Sequence, residues 1–229
     1  MTTRREEVFD VPDGIIFDLF GTLVRNEELY TPICTWMSNY SCMTADELKE
    51  VFLTLREKHF NDYHNKSFAP ESYYYSRIFV DMVEQGVVKG DPETLLEVMY
   101  ESFRAMQAYE DIDVLHRLHR DYRICIVTNA DNSFVYPVVE KNQIPYDALI
   151  TSEDARSYKP SPGIFTLAIS SIGMTKNQVI VVGDSVQCDF LGPRELGIRS
   201  ILIDRVDAHP EHSPRVMSLA EVNEMISRI

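Results

Sequence analysis

The sequence predicts an α/β protein with a doubly wound, mostly parallel sheet and a separate all-helical domain. Two observations predict this fold class. In the second half of the chain, short apolar runs rich in valine and isoleucine alternate with helical segments, as in parallel sheets covered by helices on both faces. Residues 26–108, by contrast, show helical periodicity and no strand-like run. We therefore expect a helical insertion directly after the first strand.

The sheet domain is expected to comprise residues 1–25 and 109–229. Five apolar runs predict strands at residues 14–19, 123–130, 148–152, 178–184 and 199–205. Helical patterns follow at residues 131–141, 162–172, 187–196 and 218–228. Ser161 and Pro162 predict the N-cap and the first position of one of these helices. The two prolines of segment 205–216 indicate a loop.

The predicted helical domain, residues 26–108, contains four periodic segments. They lie near residues 28–40, 44–60, 71–85 and 91–107. Thr44 with Glu47 three residues later forms the pattern of a capping box, and Asp91-Pro92 joins an N-cap residue to proline at the first helical position. These signals indicate that two of the helices begin directly after Thr44 and Asp91.

Composition limits the partners of the protein. The chain has 229 residues and a formal net charge of -14, which disfavours nucleic acid and anionic membranes as partners. No apolar stretch reaches the length of a membrane span, and "MTTRREEVFD" at the start lacks the apolar run of a signal peptide. The four cysteines show no CxxC spacing and no disulfide-framework density. We expect a cytoplasmic monomer or homodimer that acts on a small molecule.

Polar residues that can carry chemistry stand at or near the ends of the predicted strands. The residues concerned are Asp18, Thr128, Asn129, Lys159, Asp184 and Asp189. In parallel α/β sheets the ligand site lies outside the carboxyl ends of the strands. We therefore expect these side chains to meet in one cleft. An acidic protein can bind an anionic substrate there if a cation screens its carboxylates, so a bound metal is expected as well.

These residues lie in four motifs that resemble those of the haloacid dehalogenase (HAD) superfamily, most of whose members are magnesium-dependent phosphatases. The motifs are "FDLFGTLV", "VTN", the lysine of "YKPSPGIF" and "VVGDSVQCD", and they follow one another in the family's order. The resemblance covers essentially the whole predicted sheet domain. It implies a Rossmann-like core, with residues 26–108 as a helical cap domain inserted after the first strand.

The resemblance also implies a role for each motif. Asp18 would be a nucleophile that forms an aspartyl intermediate, Thr128 would bond a phosphoryl oxygen, and Lys159 would screen negative charge. The ligands of Mg²⁺ would be Asp18, Asp184, Asp189 and the backbone carbonyl of Phe20. The remaining contacts to a small phosphorylated substrate would come from Gly21, Thr22 and Asn129, the first two through backbone N–H groups.

Phe20 departs from the pattern of the family's phosphatases. Most of them have a second aspartate there, which protonates the leaving oxygen, and such general acid–base help contributes roughly 10²–10⁴-fold. A phosphatase could instead take its acid from the helical domain, where His59 and His64 are candidates, or use a substrate with a good leaving group. A phosphonate-cleaving branch uses a cap lysine, and Lys49 and Lys58 are available here, although their surroundings do not resemble that branch.

Dehalogenation is a second explanation of Phe20, because halide leaves without a proton. L-2-haloacid dehalogenases are similar to "DLFGTL", with an aromatic residue at this position, and need a cap arginine, for which Arg56 is a candidate. Those enzymes are metal-free, however, and Asp184 and Asp189 beside Asp18 would then repel a haloacid carboxylate. A third explanation is a catalytically impaired protein that binds a phosphorylated ligand or a protein partner. The magnesium-dependent phosphatase is the first hypothesis, with the 2-haloacid dehalogenase as its alternative.

Overall fold

The computed structural model describes residues 11–229, so the prediction about the first ten residues lies outside the described part. The described strands are β1 (Gly14–Phe17), β2 (Arg123–Thr128), β3 (Ala148–Thr151), β4 (Val179–Gly183), β5 (Arg199–Ile203) and β6 (Arg215–Val216). They form one sheet in the order β3-β2-β1-β4-β5-β6, and every neighbouring pair is parallel. The predicted doubly wound α/β fold is confirmed.

The sheet is covered on both faces because side chains of a strand alternate between its two sides. Ile15 and Phe17 of β1 belong to the larger hydrophobic cluster, whereas Ile16 between them belongs to a smaller cluster that includes Phe165. All of these side chains are buried. Since β1 lies in the middle of the sheet, the residues that follow it are held between two packed layers.

The described helices confirm most of the predicted ones. They are α1 (Thr31–Met37), α2 (Ala45–Phe60), α3 (Glu71–Glu84), α4 (Pro92–Arg104), α5 (Asp113–Asp121), α6 (Asn132–Lys141), α7 (Ser152–Ala155), α8 (Pro162–Ser171), α9 (Gly192–Glu195) and α10 (Val222–Ile226). The predicted capping box is present, since the Thr44 N–H donates to Glu47 at 2.7 Å and the Glu47 N–H donates to Thr44 at 3.3 Å. Asp91 caps α4. Within residues 11–229, no helix is both long enough and apolar enough to cross a membrane.

Three of these elements, α5, the four-residue α7 and β6, were not predicted from the sequence. Helix α5 was missed because its sequence, "DVLHRLHRD", is mostly polar and places only Val114, Leu115 and Leu118 on its buried side. Strand β6 lies inside the segment 205–216 that was predicted to be a loop. It is only two residues long, and it pairs with the edge of β5 beyond the two prolines of that segment.

Other predicted helices have different ends or a different geometry. The helix expected at 187–196 is a π-helical turn at Val186–Leu191 followed by the short α9. The helix expected at 218–228 is reduced to a 3₁₀ turn and α10. Ser161 stands at the N-cap of α8 as predicted, but its side chain makes no capping hydrogen bond.

Helices α1–α4, here called the helical block, follow β1 and pack against one another and against α6. The ring of Phe103 in α4 lies 5.1 Å from that of Phe134 in α6, and the Tyr100 ring lies 4.9 Å from the same phenylalanine. The larger hydrophobic cluster runs without a break from the sheet into the helical block. The division into a core domain (1–25 and 109–229) and a cap domain (26–108) stays a prediction.

Candidate active site

Three aspartates meet at the carboxyl edge of the sheet. Asp18 follows β1, Asp184 follows the neighbouring strand β4, and Asp189 lies on the π-helical turn after it. One carboxylate oxygen from each residue lies within 4.8 Å of those of the other two. Asp18 is 8% exposed and Asp189 is 1% exposed, so water screens little of the repulsion between them. The three aspartates lie together as predicted, because the parallel strands that precede them end at the same edge of the sheet.

Lys159 is the positive charge at the centre of this cluster. Its Nζ donates hydrogen bonds to Asp18 Oδ1 at 2.6 Å, to Asp189 Oδ1 at 2.7 Å and to the carbonyl oxygen of Val127 at 2.9 Å. Burial alone would lower the pKa of Lys159, but the charges of Asp18 and Asp189 outweigh it and hold the pKa above its ordinary value. The lysine is therefore a fixed ammonium group with all three protons engaged.

Asn129 holds the loop that carries this lysine. Its Oδ1 accepts the N–H of Lys159 at 2.7 Å, and its Nδ2 donates to the carbonyl oxygen of Lys159 at 3.0 Å. The side chain of Asn129 is thus occupied by the protein itself, which favours a positioning role over the predicted substrate contact. Thr128, at the end of β2, is 2% exposed, and its hydroxyl makes no hydrogen bond within residues 11–229. That hydroxyl is free to bond a ligand.

The turn after β1 brings the backbone against Asp184. Gly21 has a φ of +94°, and a Cβ at this position would overlap with a carboxylate oxygen of Asp184, so only glycine fits. The hydroxyl of Thr22 accepts the N–H of Asp184 at 3.1 Å and donates to its Oδ1 at 3.2 Å. The N–H of Gly21 donates to the carbonyl of Val24 at 2.7 Å. The Gly21 N–H is therefore engaged within the turn, and phosphate binding by the N–H groups of Gly21 and Thr22 stays a prediction.

The donor set of the cluster fits a divalent cation. Three carboxylates face a single ammonium group. Burial, followed by repulsion from Asp18, raises the pKa of Asp184 to about 8. Burial also raises the pKa of Asp189 to about 6, although Lys159 opposes the rise. A hard cation such as Mg²⁺ prefers carboxylate oxygens and would offset this excess of negative charge.

The three aspartates differ in how far their oxygens are already engaged. Asp189 accepts from Lys159 at one oxygen and from the N–H of Ser185, at 3.1 Å, at the other. Asp18 is bonded at Oδ1 by Lys159, and Asp184 is bonded at Oδ1 by Thr22. Asp18 and Asp184 therefore keep more free lone pairs for a cation than Asp189 does. The carbonyl of Phe20 stays a predicted fourth ligand.

A cavity of about 110 Å³ lies between the helical block and the loops that follow β1 and β2. Phe20 and Asn129 line it from the strand ends, and Arg56 and Glu71 line it from the helical block. The ring of Phe20 lies 5.7 Å from that of Phe134, which also lines the cavity. The aromatic residue that replaces the family's second aspartate is therefore part of the wall of this cavity.

Arg56 is the predicted candidate that the structure brings to the cavity. Its guanidinium group lies over the ring of Phe60, 4.9 Å from the ring centre. Its Nε is buried and has no hydrogen-bond partner within the described part of the chain. A buried donor without a partner is costly, which favours a polar group of a ligand as its partner.

The other basic candidates of the helical domain do not line this cavity. The Nε2 of His59 lies 2.9 Å from Asp81, and Lys58 donates to the same carboxylate at 2.7 Å. His64 packs its ring against Tyr63. The ion pairs give Lys58 and His59 a structural role, whereas the Nδ1 of His64 is buried without a hydrogen-bond partner within residues 11–229. The use of either histidine as an acid stays a prediction.

Two buried acidic residues, one in the loop after β2 and one at the start of α3, were not singled out from the sequence. Asp131 is 2% exposed and accepts the N–H groups of Glu71 and Ser72 at 2.8 and 2.7 Å. Glu71, the first residue of α3, is 7% exposed. An acidic residue in the first turn of a helix is common for reasons of the helix dipole alone, so the sequence carries no signal for the burial of Glu71.

The parallel α/β fold and the aspartates at its strand ends agree with the resemblance found in the sequence, and a comparison with known families identifies the class. The profile of the family described as "Haloacid dehalogenase-like hydrolase" matches residues 15–203. The chain belongs to this family and is a HAD-like hydrolase. The predicted resemblance is confirmed.

Curated relatives include both phosphatases and dehalogenases. The chain is 37% identical over 86 residues to haloacid dehalogenase-like hydrolase domain-containing protein 3 of Danio rerio, covering 37% of this chain and 36% of the relative. It is 22% identical to (S)-2-haloacid dehalogenase 4A of Burkholderia cepacia, over 60% of this chain and 63% of the relative. It is 25% identical to a phosphoserine phosphatase of Thermus thermophilus, over 65% of this chain and 64% of the relative. Each match spans less than two thirds of the relative's own length.

Solved structures show the same fold. A HAD hydrolase of Bacillus subtilis, YfnB, bound to magnesium, superposes with a TM-score of 0.81 at 15% identity, covering 95% of this chain and 100% of that one. A dehalogenase with an intermediate complex superposes with a TM-score of 0.73 at 19% identity, covering 93% and 96%. At these identities the likeness concerns the fold, and the choice between phosphate and halide chemistry depends on the site itself.

Proposed function

We propose that the protein is a magnesium-dependent phosphatase that hydrolyses a small phosphorylated metabolite through Asp18, with the helical block as its cap. The observation that carries the proposal is the cluster of Asp18, Asp184 and Asp189, whose only counter-charge within residues 11–229 is Lys159. A metal-free dehalogenase gains nothing from Asp184 there, since a third carboxylate repels an anionic substrate. A phosphatase needs that carboxylate to hold a cation next to the phosphate.

The reaction follows from the positions of the side chains. The free oxygen of Asp18 attacks phosphorus, and a bond from that oxygen to phosphorus forms while the bond to the leaving oxygen breaks. Bound Mg²⁺ would offset the negative charge that the phosphate adds to the carboxylates. Lys159 holds Asp18 in place at 2.6 Å, and the free hydroxyl of Thr128 donates to a phosphoryl oxygen. Water then attacks phosphorus, releasing phosphate and the Asp18 carboxylate.

The size of the cavity limits the leaving group. About 110 Å³ accommodates a fragment of only a few heavy atoms beyond the phosphate. Arg56 places a positive charge in its wall, so an anionic or strongly polar leaving group is favoured over an apolar one. A small phosphorylated hydroxy acid has both properties. Phosphoserine and phosphoglycolate, which relatives of this chain are named for, belong to that class.

A dehalogenase is the second candidate, and two observations favour it. Phe20 cannot donate the proton that an alkoxide needs, and Arg56 lines the cavity where a haloacid carboxylate would lie. The phosphatase ranks first because a haloacid carboxylate would lie near three buried aspartates with one lysine between them. Each candidate therefore predicts a different response to metal.

A panel assay separates the two functions. The wild-type protein is assayed with phosphate esters, acyl phosphates and 2-haloacids, each with Mg²⁺ and with a chelator. We expect hydrolysis of at least one phosphate compound that is lost in the chelator and no release of halide. Halide release that is unaffected by the chelator, with no phosphatase activity, would establish the dehalogenase instead.

A further inference from the structure

We propose that Glu71, in the helical block, is the general acid and base of this site. It would take the role of the aspartate that most phosphatases of the family have at the position of Phe20. The inference rests on the proposed phosphatase function. It starts from the position of Glu71, which lines the same cavity as Phe20 and Asn129. These two residues follow Asp18 and Thr128 closely in the chain, so the cavity adjoins the phosphate site and is where a leaving group would lie.

Glu71 is held in place by its backbone, and its side chain is left free. The N–H of Glu71 donates to Asp131 Oδ1 at 2.8 Å, which fixes the first turn of α3 against the loop after β2. The residue is 7% exposed, yet its carboxyl group makes no hydrogen bond or ion pair within residues 11–229. A carboxyl group that lines a cavity without a hydrogen-bond partner can bond a group of a ligand there.

The surroundings of this carboxyl group favour its protonated form. Burial, followed by the negative charge of Asp131, raises the pKa of Glu71 well above its usual range, and Arg56 opposes the rise. The ionisable groups that face Glu71 from the surrounding elements are Arg56, Asp131, Tyr30, Tyr63, Tyr75, Tyr100 and Tyr158. A neutral carboxyl group can donate a proton, and the nearby Arg56 would stabilise the carboxylate that remains.

The chemistry balances over the two steps. As Asp18 bonds to phosphorus and the bond to the leaving oxygen breaks, the proton of Glu71 moves to that oxygen and an alcohol departs. The Glu71 carboxylate then takes a proton from the water that attacks phosphorus. The bond between phosphorus and Asp18 breaks, phosphate leaves, and Glu71 is protonated again.

The test compares Glu71→Gln with the matched control Glu84→Gln, which changes an exposed glutamate at the other end of α3. Each protein is assayed with Mg²⁺ on phosphoglycolate, or on another alkyl phosphate that the wild type hydrolyses, and on para-nitrophenyl phosphate. Glu71→Gln should lose roughly 10²–10⁴-fold in kcat on the alkyl phosphate, the usual contribution of a general acid. The control should retain wild-type kcat on both substrates.

The nitrophenyl ester separates proton donation from a structural effect. Nitrophenolate leaves without a proton, so Glu71→Gln should form phospho-Asp18 at the wild-type rate but hydrolyse it slowly. We therefore expect a burst of nitrophenolate equal to the enzyme concentration. If Glu71→Gln does not fold, as seen by circular dichroism, Glu71→Asp takes its place. Its ratio of alkyl to aryl rates in the first step, the formation of phospho-Asp18, should fall because the shorter acid reaches less far.

The outcomes distinguish this inference from the proposed function. Equal losses on both substrates without a burst, or full alkyl activity in Glu71→Gln, would overturn the role of Glu71 while the phosphatase stands. An unchanged alkyl-to-aryl ratio in Glu71→Asp would do the same. A wild-type protein that hydrolyses no phosphate ester would overturn both.

Discussion

The carboxylate of Asp131 accepts a hydrogen bond of 2.8 Å from the backbone N–H of Glu71, a residue 60 positions earlier in the chain. The same carboxylate also accepts the N–H of Ser72 and the hydroxyl of Tyr100, each at 2.7 Å. Helix α3 has Pro70 at its N-cap, which offers no side-chain acceptor, so its first N–H groups are capped from the loop that follows Thr128. The hydrogen bonds of Asp131 therefore join the start of α3, in the helical block, to the loop beside the candidate active site.

Replacing Asp131 should therefore destabilise the protein and disturb the site together. Asp131→Ala leaves buried donors without an acceptor, which costs about 1–3 kcal/mol for an unsatisfied group. We expect a loss of at least that size in the free energy of unfolding, measured by urea denaturation, and a lower kcat. Asp121→Ala, which removes an exposed aspartate at the end of α5, is the control and should change little. Equal stability of the two variants would contradict the capping role.

Magnesium should stabilise the wild-type protein through Asp184. A ligand that binds only the folded state, present at 100 times its Kd, adds about 2.7 kcal/mol to the free energy of unfolding. We expect Mg²⁺ to raise the Tm of the wild type, and Asp184→Asn to lose most of that shift and of the heat of Mg²⁺ binding in calorimetry. Without metal, Asp184→Asn should be at least as stable as the wild type, because it replaces a carboxyl group whose ionised form is disfavoured by burial and by Asp18 and Asp189.

The control for the metal experiment is Asp207→Asn, which removes a charge from an exposed aspartate paired with Arg215. It should keep the full Mg²⁺-dependent rise in Tm. If Asp184→Asn showed the same rise as this control, magnesium would bind elsewhere and the metal assignment would be wrong.

Phe20→Asp should restore an acid at the position that most phosphatases of the family use. Residues 18 and 20 lie two apart just beyond β1, so their side chains can reach the same cleft. We expect a gain in kcat on alkyl phosphates, and a larger gain in a Glu71→Gln background, where the proposed acid is absent. Phe20→Asn loses the same ring without adding an acid, and should show no gain.

The same substitution removes an aromatic side chain from the cavity wall. Truncating a fully buried phenylalanine costs about 3–5 kcal/mol, and Phe20 is only partly buried, so a smaller loss is expected. Thermal melts of Phe20→Asp and Phe20→Asn should agree closely. A folded Phe20→Asp protein with no gain in kcat on alkyl phosphates, in the wild-type or the Glu71→Gln background, would contradict the placement of a general acid in this cavity.

The sequence was sufficient for the centre of the site, for a physical reason. Parallel strands end at one edge, so Asp18, Thr128 and Asp184 could be placed together from the strand pattern alone, and Lys159 joined them through its motif. The parallel direction of the strands also followed from the alternation of strands and helices. Within this part of the fold, local pattern and final structure agree.

The rest depended on contacts between distant segments. The sequence gives no sign that Asp131 caps α3, since the two lie far apart in the chain and α3 carries its own acidic residue at its start. Asn129 was assigned to the substrate, yet its side chain bonds the backbone of Lys159. The capping by Asp131 and the bonding of the Lys159 backbone by Asn129 both depend on contacts between loops that are distant in the chain. The periodicity of the sequence carries no information about such contacts.

The fate of the oxygen of water tests the central claim, that Asp18 carries a phosphoryl group which water attacks at phosphorus. A single turnover is run in water labelled with heavy oxygen, with the protein in excess over phosphoglycolate or another phosphate substrate, in the presence of Mg²⁺. A parallel reaction contains 2-chloropropionate. Mass spectrometry then locates the label in released phosphate and in the peptide that contains Asp18. Asp18→Asn, which has a nearly isosteric but very weak nucleophile, is the control and should release no product.

The proposed mechanism predicts label in phosphate and none in the Asp18 peptide, because water attacks phosphorus and the carboxylate leaves with its own oxygens. The chloropropionate reaction should leave the peptide unlabelled and release no halide. Label in the Asp18 carboxylate after reaction with 2-chloropropionate, with no phosphate released from any ester, would show attack at carbon on an alkyl ester of Asp18 and contradict the phosphatase.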